Sequence, residues 1–390
     1  MKVAYLFQLD AANPAVQSGR PASIYRQLAA LGTSLEPVFP LRTKVARRTA
    51  LRKAFYRLSG RFYRGDRNPA YLAALASEFE RRTQGTEYDI VFCPGSEAIS
   101  QLNISKPIAF CADATFAGMV DYYWDFSSLS KEYVVEGHLQ EASALRRAAI
   151  AIYPSEWAAR SAIDFYHADP AKVFVIPFGA NVGAQNRREQ VYEWIAGRPF
   201  DGLRLLFVGR SWRRKGGDML VESARHLIAK GFRVRLDIVG CELPRAFRDL
   251  PWIVPHGLLP LNQPRCEREL SELFKAAHFV FVPSKAEAFG MTFAEASAFG
   301  VPSVATATGG IPSVVHNGVN GFTLPITADA AEFADLIAGA ISDREQYADL
   351  CRKSFEEFDK RLNWRVFCAR FLEIAHRCCE DLAVKVEGVA

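Results

Sequence analysis

Residues 281–302 read FVPSKAEAFGMTFAEASAFGVP. An apolar run ends at Pro283, a loop carrying Glu287 and Gly290 follows, and from Met291 small and apolar residues recur at helical spacing. Strand, loop and helix in immediate succession form the repeating unit of a parallel α/β sheet. The same pattern occurs at FVGRSWRRKGGDML, residues 207–220, where a strand ends at Gly209 and a basic loop leads into the helix DMLVESARHLIAKG. RVRLDIVGC, WIVPHG and PSVATAT supply further strands, with LSELFKAA and TFAEASAFG as helices between them.

The first part of the chain is built the same way. KVAYLF, LEPVFPL, DIVFCPG, PIAFCAD and AAIAIYPS are short apolar runs ending in turn residues, and a helix near PASIYRQLAALG separates the first two. At KVFVIPFGANV the pattern restarts. A length of 390 residues exceeds what one hydrophobic core usually organises. Two consecutive doubly wound, Rossmann-like α/β domains are therefore expected, over 1–178 and 179–364.

Composition excludes several classes. At 49% hydrophobic and 23% charged the chain is that of an ordinary globular protein, neither disordered nor membrane-spanning, since no apolar run reaches about 18 residues. Asp10 interrupts the N-terminus where a signal peptide would stay apolar, so a cytoplasmic protein is expected. The eight cysteines fit that compartment as reduced thiols, with no CxxC pair to hold zinc.

The residues between strand and helix carry the chemistry. Unpaired N–H groups at a helix start favour a phosphate, and Gly290 lets the backbone approach it closely. Glu295, in the first turn or so, is placed to reach a ribose, and Glu287 on the loop to accept hydrogen bonds from hydroxyls beyond the phosphates. Arg210 and Lys215 bracket the loop after Gly209, where cations would neutralise a diphosphate leaving group. Taken singly, Glu295 also reads as a helix-dipole residue, Glu287 as a solvated loop charge and the Arg/Lys cluster as a solvated basic loop. A single diphosphate ligand with hydroxyl groups beyond it explains both sites at once.

These segments, FVGR…KGG, PSKAEAFGMTFAEASAFGVPSVAT and TGGIPSVVHNGVNGFTLP, resemble the retaining nucleotide-sugar glycosyltransferases of family 4, which have the two-domain GT-B fold. The match covers roughly 176–325, with seven residues between the two glutamates. The resemblance implies two Rossmann-like domains facing each other across a cleft, and a C-terminal helix at about 365–390 that packs back on the first. It implies that Arg210 and Lys215 hold the donor diphosphate and that Glu287 binds the transferred sugar. Ala288, Phe289, Gly290, Met291 and Thr292 would line phosphates and sugar, Glu295 would take the ribose hydroxyls, and Leu258 would contact the base through its main chain. Gly19 in the N-terminal loop would approach the donor phosphate. Asp113, the one ionisable residue in FCADATFAGM, would orient the acceptor hydroxyl. The chain departs from the family pattern at Ala288, where a glycine is usual, and at Ser313, where an acid is common. The implied reaction uses no bound metal or other cofactor and moves a hexose from a UDP- or GDP-sugar to a glycan or lipid-linked acceptor, in surface polysaccharide or glycolipid synthesis. The same fold also serves a non-catalytic nucleotide-sugar-binding scaffold, which stays open.

One charged segment stands apart. Residues 42–67 hold ten Lys or Arg and one Asp, a local +9 in a chain of net +5, so the remainder is net acidic. Leu51, Phe55, Leu58 and Phe62 recur at spacings of four, three and four, one apolar helical stripe among cations. Two readings remain open: a helix lying on an anionic membrane, peripheral to its inner face, or an ordinary helix with the stripe packed inward. Nucleic-acid binding is disfavoured by the acidic remainder, and a nicotinamide-dependent activity by the missing GxGxxG.

Overall fold

The computed structural model describes residues 1–43 and 46–387. Residues 44–45 of the basic stretch and 388–390 of the C-terminal tail lie outside the described residues. The chain divides into two compact units, one made of Met1–Ile176 with the tail from Cys368, the other of Pro177–Phe367.

The first unit is built on one parallel sheet of β1 (Lys2–Leu6), β2 (Ser34–Val38), β3 (Ile90–Cys93), β4 (Ile108–Cys111), β5 (Ile150–Tyr153) and β6 (Val173–Val175), in the order β2-β1-β3-β4-β5-β6. The runs IVFC, IAFC and IAIY are buried at every position. Strands covered by helices on both faces need such unbroken apolarity. Helix Trp364–Glu387 contributes its later residues to this unit, where the Phe371 ring lies 4.6 Å from that of Phe92.

In the second unit β7 (Leu203–Val208), β8 (Val234–Val239), β9 (Ile253–Gly257), β10 (Phe279–Val282), β11 (Ser303–Thr306) and β12 (Gly321–Leu324) form a parallel sheet in the order β12-β11-β10-β7-β8-β9. FVFV and SVAT are fully buried. Among the described residues no helix is long and apolar enough to cross a membrane.

Three details differ from the sequence reading. β12 lies inside NGFTLP, a segment read only as part of a loop motif, whereas Val173–Val175 of KVFVIPFGANV closes the first sheet, within the expected first domain of 1–178. The basic segment forms helix Ala46–Leu58, but Gly60 at φ +68 ends it, so Phe62 leaves the helix and bridges to Leu129. The inward packing of its stripe is overturned: Leu51, Phe55 and Leu58 are 77%, 67% and 91% exposed. The cause is a set of ion pairs on the helix's polar flank, described below.

Candidate functional site

β7 sits between β8 and β10. The chain leaves β7 toward one side of the sheet and returns at β10 on the other, so the two loops at the carboxyl ends of these strands diverge. In open α/β sheets this switch point is where a crevice forms. Helices Gly217–Ala229 and Met291–Ala298 both start there.

Two glycines make the approach of these loops possible. Gly216 caps the first helix at φ +77, and a Cβ there would lie 2.0 Å from the Pro283 carbonyl oxygen at the end of β10. Gly290 caps the second at φ +93, a conformation that side chains resist. Backbone hydrogen bonds complete the frame, from Lys285 N–H to the Arg214 carbonyl at 2.8 Å and from Gly310 N–H to the Glu287 carbonyl at 3.0 Å. The GGIP loop is thus tied to the loop that carries Glu287.

Inside this frame Lys215 and Arg214 converge on Glu287. The Lys215 ammonium donates to Glu287 Oε2, and Arg214 Nη1 donates to the same oxygen at 3.2 Å and to the Ala286 carbonyl at 2.8 Å. Lys215 is 7% exposed. Burial alone would push the Glu287 carboxyl up, but the two cations outweigh it and hold it below the ordinary value, ionised. The hydroxyls of Thr292, at the adjoining helix start, and of Ser284, just after β10, are buried and have no hydrogen-bond partner among the described residues. Unpaired buried hydroxyls are uncommon in folded chains, and two at one switch point fit a site that receives a polar ligand.

The other sequence-derived residues distribute as follows. Ala288 and Phe289 are buried, and the Phe289 ring stands 5.5 Å from that of Phe178, which leaves their side chains in the packed interior. Met291 is half-buried at the first helical position. Glu295 lies in the second turn, not the first, and is 7% exposed. Burial raises its carboxyl to about 7, opposed by backbone N–H groups of Asn181 and Val182 that it accepts. Arg210 is exposed and does not join Lys215 at Glu287. It lines a cavity of about 990 Å³ with Gly240, Glu242, Arg248 and Leu258, beyond the carboxyl ends of β8 and β9. Gly19 and Asp113 belong to the first unit. Gly19 caps helix Arg20–Ala30 at φ +82. The Asp113 carboxylate, more than half exposed, accepts from the guanidinium of Arg20, which is 6% exposed.

Sequence reasoning missed Arg20 as a partner of Asp113. Arg20 also donates to the Pro94 carbonyl at 3.1 Å and to Gln17 Oε1 at 2.6 Å. A signal was available in SGRP: a cation at a helix start opposes the helix dipole and needs an anionic partner. Arg214 was read only as part of a basic cluster, although it is the second cation on Glu287.

Residues 202–343 match the family model described as Glycosyl transferases group 1. Over that segment the second unit is similar to glycosyl transferases group 1 domains. The matched segment includes Arg210, Lys215, Leu258, Glu287 and Glu295, while Gly19 and Asp113 lie outside it. A curated relative, D-inositol 3-phosphate glycosyltransferase of Thermobispora bispora, is 29% identical over 234 residues, 55% of this chain and 53% of its own. The chain thus spans about half the length of such relatives. Among solved structures, sucrose-phosphate synthase from Thermosynechococcus elongatus aligns at a TM-score of 0.66 and 17% identity over 100% of this chain and 99% of its own. Anabaena HepE, solved with UDP and glucose, aligns at 0.58 and 16% identity over 98% and 99%. At such identities the likeness shows the fold alone. With the two six-stranded parallel sheets, that likeness gives the chain a two-domain GT-B fold, and the segment matched by the family model lies in its second unit.

Proposed function

We propose that this chain is a retaining glycosyltransferase that moves a hexose from a UDP- or GDP-sugar to a hydroxyl of a glycan or lipid-linked acceptor. The observation that carries this reading is the Lys215–Glu287 pair at the switch point, beside a helix start with an unpartnered Thr292 hydroxyl. The N–H groups of Gly290 to Thr292 and the Lys215 ammonium offer positive charge where the donor diphosphate would lie. Glu287, kept ionised by its cations, accepts from sugar hydroxyls, and the neighbouring cavity with Arg210 and Leu258 takes the nucleoside. Glu295 serves the ribose from the same helix. That HepE was solved with UDP and glucose supports a nucleotide-sugar donor here.

The bond from the sugar's anomeric carbon to the diphosphate breaks as the acceptor oxygen bonds to that carbon from the same face. The acceptor's proton passes to the departing phosphate oxygen, so no strong protein base is required. Asp113, fixed by Arg20, orients the acceptor hydroxyl. The nucleotide sugar is a substrate, and the chain's own cations supply the charge the leaving group needs.

A panel of nucleotide sugars, read first by thermal stabilisation and then by turnover, tests the proposal. At least one UDP- or GDP-hexose should stabilise the chain and be consumed, with the anomeric configuration kept in the product. Stabilisation without turnover on any acceptor would make the chain a binding scaffold instead.

A further inference from the structure

We propose that the first unit docks on an anionic lipid bilayer through helix Ala46–Leu58, with Leu51, Phe55 and Leu58 at the acyl boundary and Lys53 and Arg57 among the headgroups. This goes beyond the transfer reaction, and its test needs no donor.

An amphipathic surface helix normally turns its apolar stripe to the core and its charges to water. Here the polar flank is turned to the protein. Arg52 Nη1 lies 2.8 Å from a Glu132 oxygen and 3.6 Å from Glu136, and the Tyr56 hydroxyl donates to Glu132 at 3.0 Å. Glu136 is itself fixed, accepting from the Tyr63 hydroxyl at 2.7 Å and from Asn68 at 2.9 Å. Pinned on that side, the helix presents its stripe outward. The same outward half carries Lys53 and Arg57, which are exposed and make no ion pair among the described residues. An apolar stripe beside free cations is the pattern of a helix lying in a headgroup region.

The surroundings extend the surface. Of thirteen exposed large apolar side chains among the described residues, ten belong to the first unit. Phe62 and Trp124 are 50% and 73% exposed, and Val135 and Leu139 lie on the helix that supplies Glu132 and Glu136. A tryptophan at such a rim suits the membrane interface. A second copy of this chain is a poor occupant, because Lys53 and Arg57, exposed beside the stripe, would face their own counterparts. Anionic lipid complements both the charge and the stripe.

The test is co-sedimentation of the full chain with vesicles of phosphatidylcholine alone or mixed with phosphatidylglycerol. The mixed vesicles should bind at least about tenfold more protein at low salt, and about 1 M salt, with a Debye length of about 3 Å, should release much of it. Leu51→Ser/Phe55→Ser/Leu58→Ser and Lys53→Glu/Arg57→Glu should each lower the partition by about tenfold or more. Equal binding to both vesicle types, or unchanged binding by the serine variant, overturns the proposal. So does a dimer of the free chain that the serine variant dissociates, since the stripe would then be a self-association face. Should the variants fail to fold, hydrogen exchange on the unmodified chain decides. Residues 51–58 should gain protection with mixed vesicles, and unchanged exchange refutes docking.

Discussion

Glu287 Oε2 is shared by two cations of a single distant loop, Lys215 and Arg214, which joins the carboxyl ends of β7 and β10 through charge. The pair is buried on both sides, with Lys215 and Glu287 side chains 9% and 12% exposed. Removing one member of such a pair strands the other, so Glu287→Ala should destabilise the second unit by about 3 kcal/mol. Glu287→Gln keeps the shape and tests chemistry more cleanly. Its turnover should fall by about 10²–10³-fold, with nucleotide affinity by calorimetry nearly unchanged.

Lys215→Met should separate from Glu287→Gln in the opposite sense. On the proposed reading its ammonium faces the diphosphate, so affinity for the free nucleoside diphosphate should drop together with turnover, each by about tenfold or more. Titration with the diphosphate and with the plain nucleoside reads the difference, since the nucleoside should bind both proteins equally.

Glu295 gives a pH signature. In the folded chain its carboxyl holds a proton up to about pH 7, and in the unfolded chain only up to the ordinary 4.5. Between these values the folded state binds the extra proton, so the stabilisation from this group is complete below 4.5 and is lost as pH rises through about 7. Glu295→Gln should therefore gain up to roughly 3 kcal/mol over the parent at pH 8 and nothing at pH 4.5. Urea unfolding of both proteins across that range measures it, and differences that stay constant with pH would refute the buried, protonated carboxyl.

Much of this was legible in the sequence, for local reasons. β10 and its helix announce themselves because FVFV is apolar throughout and is followed at once by a proline, a capping glycine and a helical run. β12 does not, since GFTL is a half-buried edge strand whose leading Gly321, at φ +154, reads as a turn. Lys215 and Glu287 were visible as a charged pair of loops, but the choice of Arg214 over Arg210 as the second cation depends on how the loop folds. Arg20 was hidden because its partner Asp113 is 93 residues away. The direction of the 46–58 stripe could not be read from periodicity, which is the same facing in or out. It is set by Glu132, 76 residues from Tyr56.

The loop frame makes its own prediction. Gly216 and Gly318 share nearly the same φ, +77 and +73, yet a Cβ at Gly216 meets the Pro283 carbonyl while one at Gly318 meets nothing within 4 Å. Gly318→Ala should cost about 1 kcal/mol, the left-handed penalty alone. Gly216→Ala should cost at least twice as much and also weaken nucleotide binding, because β10's end must move. Equal costs in thermal unfolding would show that the close approach is not part of the fold.

The most direct measurement is a crystal structure of the chain with a non-hydrolysable analogue of the nucleotide sugar that stabilises it best. The expected result has the diphosphate against the N–H groups of Gly290 to Thr292 and the Lys215 ammonium, with Glu287 within about 3.2 Å of a sugar hydroxyl. A donor bound elsewhere, or at this switch point with Glu287 turned away from the sugar, would contradict it.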